Sequence, residues 1–586
     1  MIKVVPPALI FILAAIFIPL LKGKLKRIFM LLVPAVAFLD ILYLNQDTSW
    51  VYNFLGYDLI ICKVDRLSLV VGYIFVIIGF LAILYCIHID EDGQHIAAFL
   101  YVGSSLGVVF AGDYFTLFVF WEIMAVASVF LVWYQKEKRS LDAGFRYLIM
   151  HITGGCCLLA GIIIHVVNTG SIAVTSMGTG PADIFILIGF GLNTAFIPIH
   201  TWLPDAYPEG TVTGSVFMSV YTTKTGVYVL ARCFSGMPFV AYMGGLMTVY
   251  GVIFALMQND ARRLLSYHIV SQVGYMVAGI GIGTEMGING GIAHVFNHIL
   301  YKALLFMCMG SVIYMTGKRK LTELGGLAKY MPVTCIACII ASLSISGAPG
   351  FNGYVSKGMV IASAVEKHMP ILELMMILAA VGTFLSFVKL CYFTFFAPNE
   401  EIKAKEAPVN MQLAMLLTAS LCVFIGVYPK ALFHVLPFPV DYHPYTFGHA
   451  IGIIQLFILA GLAFMLAKDK VEPHRGTILD FDYFYRMGGR ALLWVCVKPL
   501  SKLRVRGQVF FSSAVSIAAR LGKNPIMILE IPAAYAHQRM ARGLRHMSGY
   551  SSTEAYNENL YRRPIGVGVL VAIIVLFTLA LIHFIF

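Results

Sequence analysis

Charge is scarce in this sequence, and several familiar functional signatures are missing from it. Only 12% of its 586 residues are Asp, Glu, Lys or Arg, about half the ~25% of a soluble chain. That excludes an ordinary water-soluble globular protein. The eleven cysteines include no set of four spaced for an iron–sulfur centre, and no glycine-rich phosphate loop stands ahead of a helix. The chain is therefore expected to carry no cofactor of its own. The close pairs Cys156-Cys157 and Cys335-x-x-Cys338 fall within apolar runs and read as buried small hydrophobes. The first apolar run, Pro6 to Leu21, has its basic cluster behind it, in Lys22-Gly-Lys-Leu-Lys-Arg27, and no small-residue cleavage site. It reads as a retained helix, not a secretory signal. The short alternating runs of a membrane barrel are absent too.

What the sequence has in abundance is apolar length. Hydrophobic residues make up 59% of it, with a mean hydropathy of +0.83. Runs near the roughly 20 residues needed to cross a bilayer recur throughout: Leu67–Cys86, Tyr114–Trp133, Gly144–Val167, Leu378–Phe396, Gly448–Leu466 and Pro564–Phe586. Continuous blocks of this kind mean helices, whose backbone bonds are satisfied internally. The expected fold is an all-α polytopic membrane protein of about sixteen transmembrane helices. With that count, sixteen Lys and Arg fall in loops on one side, among them Lys22–Arg27, Lys136–Arg139 and Lys318–Lys320, against five on the other. The positive-inside rule makes the first side cytoplasmic and the N-terminus external. The expected location is the inner (cytoplasmic) membrane.

Residues 468–563 differ from the rest. Sixteen Lys and Arg stand there against seven Asp and Glu, so most of the chain's net +12 sits in this segment. Pro499, Pro525 and Pro532 argue against a single unbroken helix. Basic residues beside Tyr, Phe, Leu and Trp494 suggest elements lying on the cytoplasmic membrane surface, in contact with lipid. Lipid phosphate accounts for the charge, so nucleic-acid binding is rejected. A final anchor is expected at 564–586.

Charged or titratable groups at mid-bilayer are costly, so each is a functional candidate. Glu122 is the only charge in the run Tyr114–Phe130. Lys224 lies near the middle of the span from Ser215 to Arg232. His294, His298 and Lys302 follow at i, i+4 and i+8 and share one helical face, as a chain of proton-passing groups would. Lys357 follows Ser346-Gly-Ala-Pro-Gly-Phe-Asn-Gly353, where Pro and Gly interrupt an apolar stretch. The segment Phe196-Ile-Pro-Ile-His-Thr-Trp-Leu-Pro-Asp205, which holds His200, breaks another span in the same way. Two interrupted spans in corresponding places suggest an inverted repeat with ion sites at mid-membrane. No Cys or carboxylate is spaced to make the two histidines a metal site.

With these residues the chain resembles the antiporter-like subunit family shared by Mrp-type cation/proton antiporters, respiratory complex I and membrane-bound hydrogenases. The matching stretches are FWE at Glu122, PIHTWLPDAYPE at Pro198–Glu209, TTKTGVY at Lys224, RRLLSYHIVSQVGY at Arg262–Tyr275, HVFNHILYKALLF at His294–Phe306 and SGAPGFNGYVSKGMVI at Ser346–Ile361. The resemblance implies two inverted five-helix repeats, each with one discontinuous helix, in residues 91–235 and 236–400. Residues 1–90 and 401–467 supply further helices. It also implies Glu122 as the entry or coupling carboxylate, with Lys224, His294, His298, Lys302 and Lys357 as the relay and Asn193, His200 and Lys389 as secondary positions. Many relatives have lysine where Asn193 stands. LDFDYFYR at Leu479–Arg486 looks like long D-type Mrp and hydrogenase-related subunits. The implied function is a proton-translocating subunit of an Mrp-type antiporter, working with other membrane subunits on protons and sodium or potassium. The alternatives are the same module in a complex I-like NADH/quinone oxidoreductase or hydrogenase, and a non-conducting scaffold.

Overall fold

The structure is a computed structural model that describes residues 5–399, 402–466, 473, 478–523, 569–570, 572–576 and 578–579. It divides into two units, Met1–Tyr485 and Arg486–Phe586. The first unit opens with α1 (Pro7–Phe17) and α2 (Gly23–Tyr43), then a hairpin of β1 (Ser49–Phe54) and β2 (Tyr57–Lys63). Next come α3 (Arg66–Cys86), α4 (Asp92–Phe110), α5 (Tyr114–Trp133), α6 (Lys138–Thr169) and α7 (Pro181–Asn193). Short helices α8 (Trp202–Ala206) and α9 (Gly214–Met218) lead to α10 (Tyr221–Cys233), α11 (Pro238–Met257), α12 (Ala261–Ile282) and α13 (Glu285–Thr316). The unit continues with α14 (Pro332–Ser346), α15 (Asn352–Glu366), α16 (Pro370–Cys391), α17 (Val409–Val427), α18 (Lys430–Phe433) and α19 (Phe447–Leu466).

Side-chain oxygens start many of these helices. Asp65 accepts from the Ser68 amide at 2.8 Å while the Ser68 hydroxyl accepts from the Asp65 amide at 2.9 Å, a reciprocal cap of α3. Asp113 caps α5 through the Thr116 amide at 2.8 Å. Its other oxygen accepts from the Ile60 amide at 2.7 Å, tying the hairpin to the helix. Asp260 and Thr284 cap α12 and α13. The helices α6, α12, α13 and α14 end on Gly170, Gly283, Gly317 and Gly347, each at positive φ, where glycine alone meets no Cβ penalty.

Among the described residues, nine helices are long and apolar enough to cross a membrane: α3, α4, α5, α6, α11, α13, α16 with its π turn to Phe396, α17 and α19. α1 with the turn after it, α7 and α14 are apolar but shorter, and other helices carry polar residues inward. α12 is the clearest of these. Its Ser266, His268, Ser271 and Gln272 are all buried, as is almost every other residue of the helix. A helix walled in by protein need not be apolar all round. Outward faces, such as Leu13, Ile16, Leu25, Ile28 and Leu32 of α1 and α2, stay exposed, as lipid-facing residues do.

Three expectations are corrected. The chain is not wholly α: β1 and β2 pair antiparallel, with a bulge at Trp50/Val51. Leu55 and Gly56, both at positive φ, form the turn, the backbone twist that a tight hairpin needs. Cys156 is exposed, not buried, although Cys335 and Cys338 are buried. The third concerns Pro499. In the second unit the helical path from α20 (Asp482–Val495) passes through a π turn at Cys496–Leu500, which contains Pro499, into α21 (Ser501–Lys523). The wider turn absorbs the donor that proline lacks. Pro525, Pro532 and most of the 564–586 anchor lie outside the described residues.

α11 and α12 pack closely together, and glycine makes it possible. A Cβ at Gly244 would stand 2.3 Å from the Ala278 nitrogen, and one at Gly281 would stand 2.1 Å from the Ala241 nitrogen. Membrane helices approach this closely only over small residues. Gly244→Val or Gly281→Val should destabilise the purified protein by roughly 1–3 kcal/mol, read as a lower unfolding temperature in detergent. Gly448→Ala, where a Cβ meets nothing within 4 Å, should leave that temperature unchanged.

Candidate functional site

Both discontinuous helices free backbone carbonyls inside the protein. The first break runs from Thr194 to Thr201, between α7 and α8, and the second from Gly347 to Phe351, between α14 and α15. Carbonyls at a helix end lack intrahelical partners, and three buried lysines meet such groups. Lys357 Nζ donates to the Ile345 carbonyl at 2.6 Å, one residue from the end of α14. Lys224 Nζ donates to Ser219, the residue closing α9, at 2.6 Å. Lys389 Nζ donates to Leu256, next to last in α11, at 2.7 Å. A lysine donates whether charged or neutral, so these bonds persist through a change of protonation state.

Around Lys357 the other sequence candidates converge. Its ammonium lies 5.0 Å from the centre of the Tyr275 ring. His294 Nδ1 is 2.9 Å from the Ser356 hydroxyl, and its Nε2 is 3.2 Å from the Tyr301 hydroxyl. The His294 and His298 rings are 6.3 Å apart. Among the described residues neither ring nitrogen of His298 meets a hydrogen-bond partner, nor does Lys302 Nζ, which lies over the Phe306 and Phe387 rings at 5.9 and 5.8 Å. His294, His298, Lys302 and Lys224 have no exposed surface, and Lys357 is 4% exposed. Lys224 and Lys302 stand among the charged neighbours of His298, which joins the two lysine sites through the histidine face.

Glu122 lies apart from this row. Its Oε1 occupies the place a side chain at Gly155 of α6 would take, 2.0 Å from an ideal Cβ there, and meets no hydrogen-bond donor. The residue is half-buried and lines an apolar groove of about 470 Å³ with Gly93, Ile96, Leu100, Val126 and Phe130. Asn193, the last residue of α7, is buried with neither amide atom bonded.

His200 leads to a second cluster, formed with a residue far along the chain. Asp480 is 5% exposed. Its carboxylate accepts hydrogen bonds from the Tyr250 hydroxyl, from the Tyr267 hydroxyl at 2.5 Å and from the Phe481 amide at 2.6 Å. His200 Nε2 is 3.3 Å from it, within ion-pair range though not aligned as a hydrogen bond. The Tyr485 hydroxyl donates to the Pro198 carbonyl. Residues 480–485 thus clasp the first break at its centre.

With the site's geometry in view, comparison with known proteins is informative. Residues 111–386 match the family model described as NADH:quinone oxidoreductase/Mrp antiporter, TM. The chain is 31% identical over 357 residues to the uncharacterised protein MJ1309 of Methanocaldococcus jannaschii, covering 57% of this chain and 74% of that one. The chain belongs to the NADH:quinone oxidoreductase/Mrp antiporter membrane family. It is also 29% identical over 492 residues to the A-type subunit of the Na(+)/H(+) antiporter of Alkalihalophilus pseudofirmus, covering 72% of this chain but only 61% of that relative. The structure resembles a chain of the archaeal membrane-bound sulfane sulfur reductase, with a TM-score of 0.72 at 23% identity, covering 87% of this chain and 98% of that chain. That likeness concerns the fold.

In this family member, sequence reasoning missed three buried groups. His268 of α12 has no exposed surface, no bonded ring nitrogen, and its ring 4.7 Å from Phe387. It lies inside the motif quoted for Arg262–Tyr275, and its place among buried Ser266, Ser271 and Gln272 was the available signal. His151 stood alone in an otherwise unremarkable stretch. Asp480 was read as part of a surface segment. Its carboxyl is raised by burial but drawn down further by the His200 ring and the two tyrosine hydroxyls, to about 2 from an ordinary 3.8.

Asp480→Asn should therefore lower the unfolding temperature at pH 7, through a loss of about 2 kcal/mol. A depressed folded-state value means the stabilisation is present above about pH 4 and lost as the pH falls toward about 2. The gap between wild type and variant should close over that window, as followed by thermal unfolding at stepped pH.

Proposed function

We propose that the chain is a proton-translocating subunit of a multi-subunit Mrp-type cation/proton antiporter. The observation that carries this reading is the buried row Lys224, His298, His294 and Lys357, with Lys302 beside it. Two of its lysines rest on carbonyls at helix ends, Lys357 at the end of the interrupted α14 and Lys224 at the end of α9. Such a row accepts, stores and passes protons without a resident cofactor. Glu122 is the entry or coupling carboxylate, and Asn193, His200 and Lys389 are supporting positions.

The reading includes sixteen spans, with inverted five-helix repeats at 91–235 and 236–400, and places the N-terminus outside an inner membrane. Residues 1–90 and 401–467 are further spans, and 564–586 is an anchor. The basic residues of 468–563 lie on cytoplasmic lipid, and other membrane subunits are the partners. The exchanged cation is sodium or potassium, and the A-type relative is named a Na(+)/H(+) antiporter subunit. The sequence favoured a D-like subunit, whereas that relative is of the A type.

A redox-driven complex is the second reading, supported by the chain's near-complete coverage of the sulfane sulfur reductase chain. Purifying the native complex separates the two: co-purified iron–sulfur or nickel–iron subunits favour the redox assembly. A non-conducting scaffold predicts unchanged proton flux in every variant below.

Glu122→Gln keeps shape but cannot ionise, and should abolish coupled proton flux in proteoliposomes of the assembled complex. Lys357→Ala should also stop transport, and Lys357→Arg should not restore it, because arginine keeps its proton at any working pH. Full flux with Arg would reduce the role of Lys357 to a fixed charge. Lys224→Ala should cost on the order of 100-fold, whereas Asn193→Ala should only slow transport. The reverse order would remove Lys224 from the first half of the path.

A further inference from the structure

His151 occupies the gap that the row above leaves between Glu122 and Lys224. It is 2% exposed, on α6, and among the described residues neither of its ring nitrogens meets a hydrogen-bond partner. A histidine retained for packing normally has at least one nitrogen satisfied, since an unpaired buried polar group is costly. Aromatic contacts instead flank this ring, with Tyr147 at 4.2 Å and Trp202 at 4.6 Å and 71°. Trp202 belongs to α8 and itself donates to the Leu192 carbonyl at 3.0 Å, so the ring is held against the first break.

On one side of the ring is Glu122. Gly155, against which the Glu122 oxygen packs, is four residues beyond His151 and hence on the same face of α6, roughly 5–6 Å away. On the other side the Asn193 amide approaches the ring without closing a hydrogen bond. The break then abuts α10: an ideal Cβ at Gly226 would lie 2.6 Å from the Thr194 hydroxyl and 3.2 Å from the Asn193 carbonyl carbon. Gly226 is two residues from Lys224. Several other polar side chains of this half are already engaged. Tyr147 is bonded to Ser128 at 2.7 Å, Tyr101 to Thr222 at 2.6 Å, and Arg146 to Asp205 at 2.6 and 3.0 Å. Tyr207, also buried there, has an unbonded hydroxyl but is no base at working pH.

We propose that His151 is the proton-carrying side chain of the first half of the path, relaying between Glu122 and the Asn193 break that leads to Lys224. This rests on the proton-translocating reading above. The Glu122 carboxylic acid gives its proton to one ring nitrogen, leaving a carboxylate beside an imidazolium. The imidazolium releases the proton on its other nitrogen toward Asn193 and Lys224, and a turn of the ring restores the starting tautomer. Asn193 cannot ionise, so it orients the transfer and does not store the proton.

The test measures proton flux against pH in proteoliposomes of the assembled complex. His151→Gln should reduce flux roughly tenfold or more with normal assembly. If that variant assembles poorly, His151→Asn takes its place. The double variant H151Q/N193K returns a titratable group to the neighbouring position 193 and should recover most of the flux, with its pH dependence displaced from that of wild type. Near-normal flux in the single variant overturns the proposal. So does an assembled double variant as inactive as the single one, because packing alone would then explain the loss. If Glu122→Gln and Lys357→Ala are inactive while His151→Gln is active, this inference fails and the broader function stands. If all three are active, the function itself fails.

Discussion

The contact between a buried lysine and the carbonyl end of a helix underlies the rest of this architecture. A lone ammonium at mid-bilayer is expensive, and among the described residues no carboxylate bonds Lys224 or Lys357. Instead each donates to a backbone oxygen that an interrupted or ended helix leaves free, and Lys389 does the same at the end of α11. Such an oxygen carries the partial negative charge of a helix C-terminus. It stabilises the cation without trapping it as a buried carboxylate would. The second break therefore has a purpose in the energetics: without the unwound turn at 347–351, the Ile345 carbonyl would be used within its own helix.

This arrangement explains why the interior can be so polar. α12 and α13 hold serine, asparagine, glutamine and three histidines with no exposure. They can do so because an outer layer with leucine and isoleucine on its lipid-facing side surrounds them. Glycine sets the distances. Where it is missing a Cβ, a neighbour fills the space: Ala278 at Gly244, Glu122 at Gly155, the Ser344 carbonyl at Gly353. The last of these brings α15, and with it Lys357, against the end of α14.

Much of the site was legible because a charge in an apolar run is conspicuous. Glu122, Lys224, Lys302 and Lys357 each stand nearly alone among hydrophobic residues, and the i, i+4, i+8 spacing put His294, His298 and Lys302 on one face. Both breaks were readable from Pro and Gly. What could not be read depends on partners distant in sequence. His151 becomes notable only once Gly155 is seen to receive Glu122 and Asn193 to approach from α7. Asp480 lies in a basic segment whose composition points to a surface. Its partners, 213 and 230 residues away, are tyrosines that the sequence offers no reason to single out. The hairpin escaped because its strands sit between two strong helical patterns.

The clasp made by Asp480 and Tyr485 has a consequence for how the protein is made. Its receiving pocket, built from Pro198, His200, Tyr250 and Tyr267, is complete in the chain more than two hundred residues before Asp480 leaves the ribosome. At about 5–20 residues per second, that pocket waits ten seconds or longer in the bilayer with an unpaired histidine and two free phenols. Closing it is a late, long-range event, so it reports that α13 through α19 have already been threaded. A chain stalled or truncated before residue 480 would expose this polar pocket, giving membrane quality control a marker of incomplete synthesis.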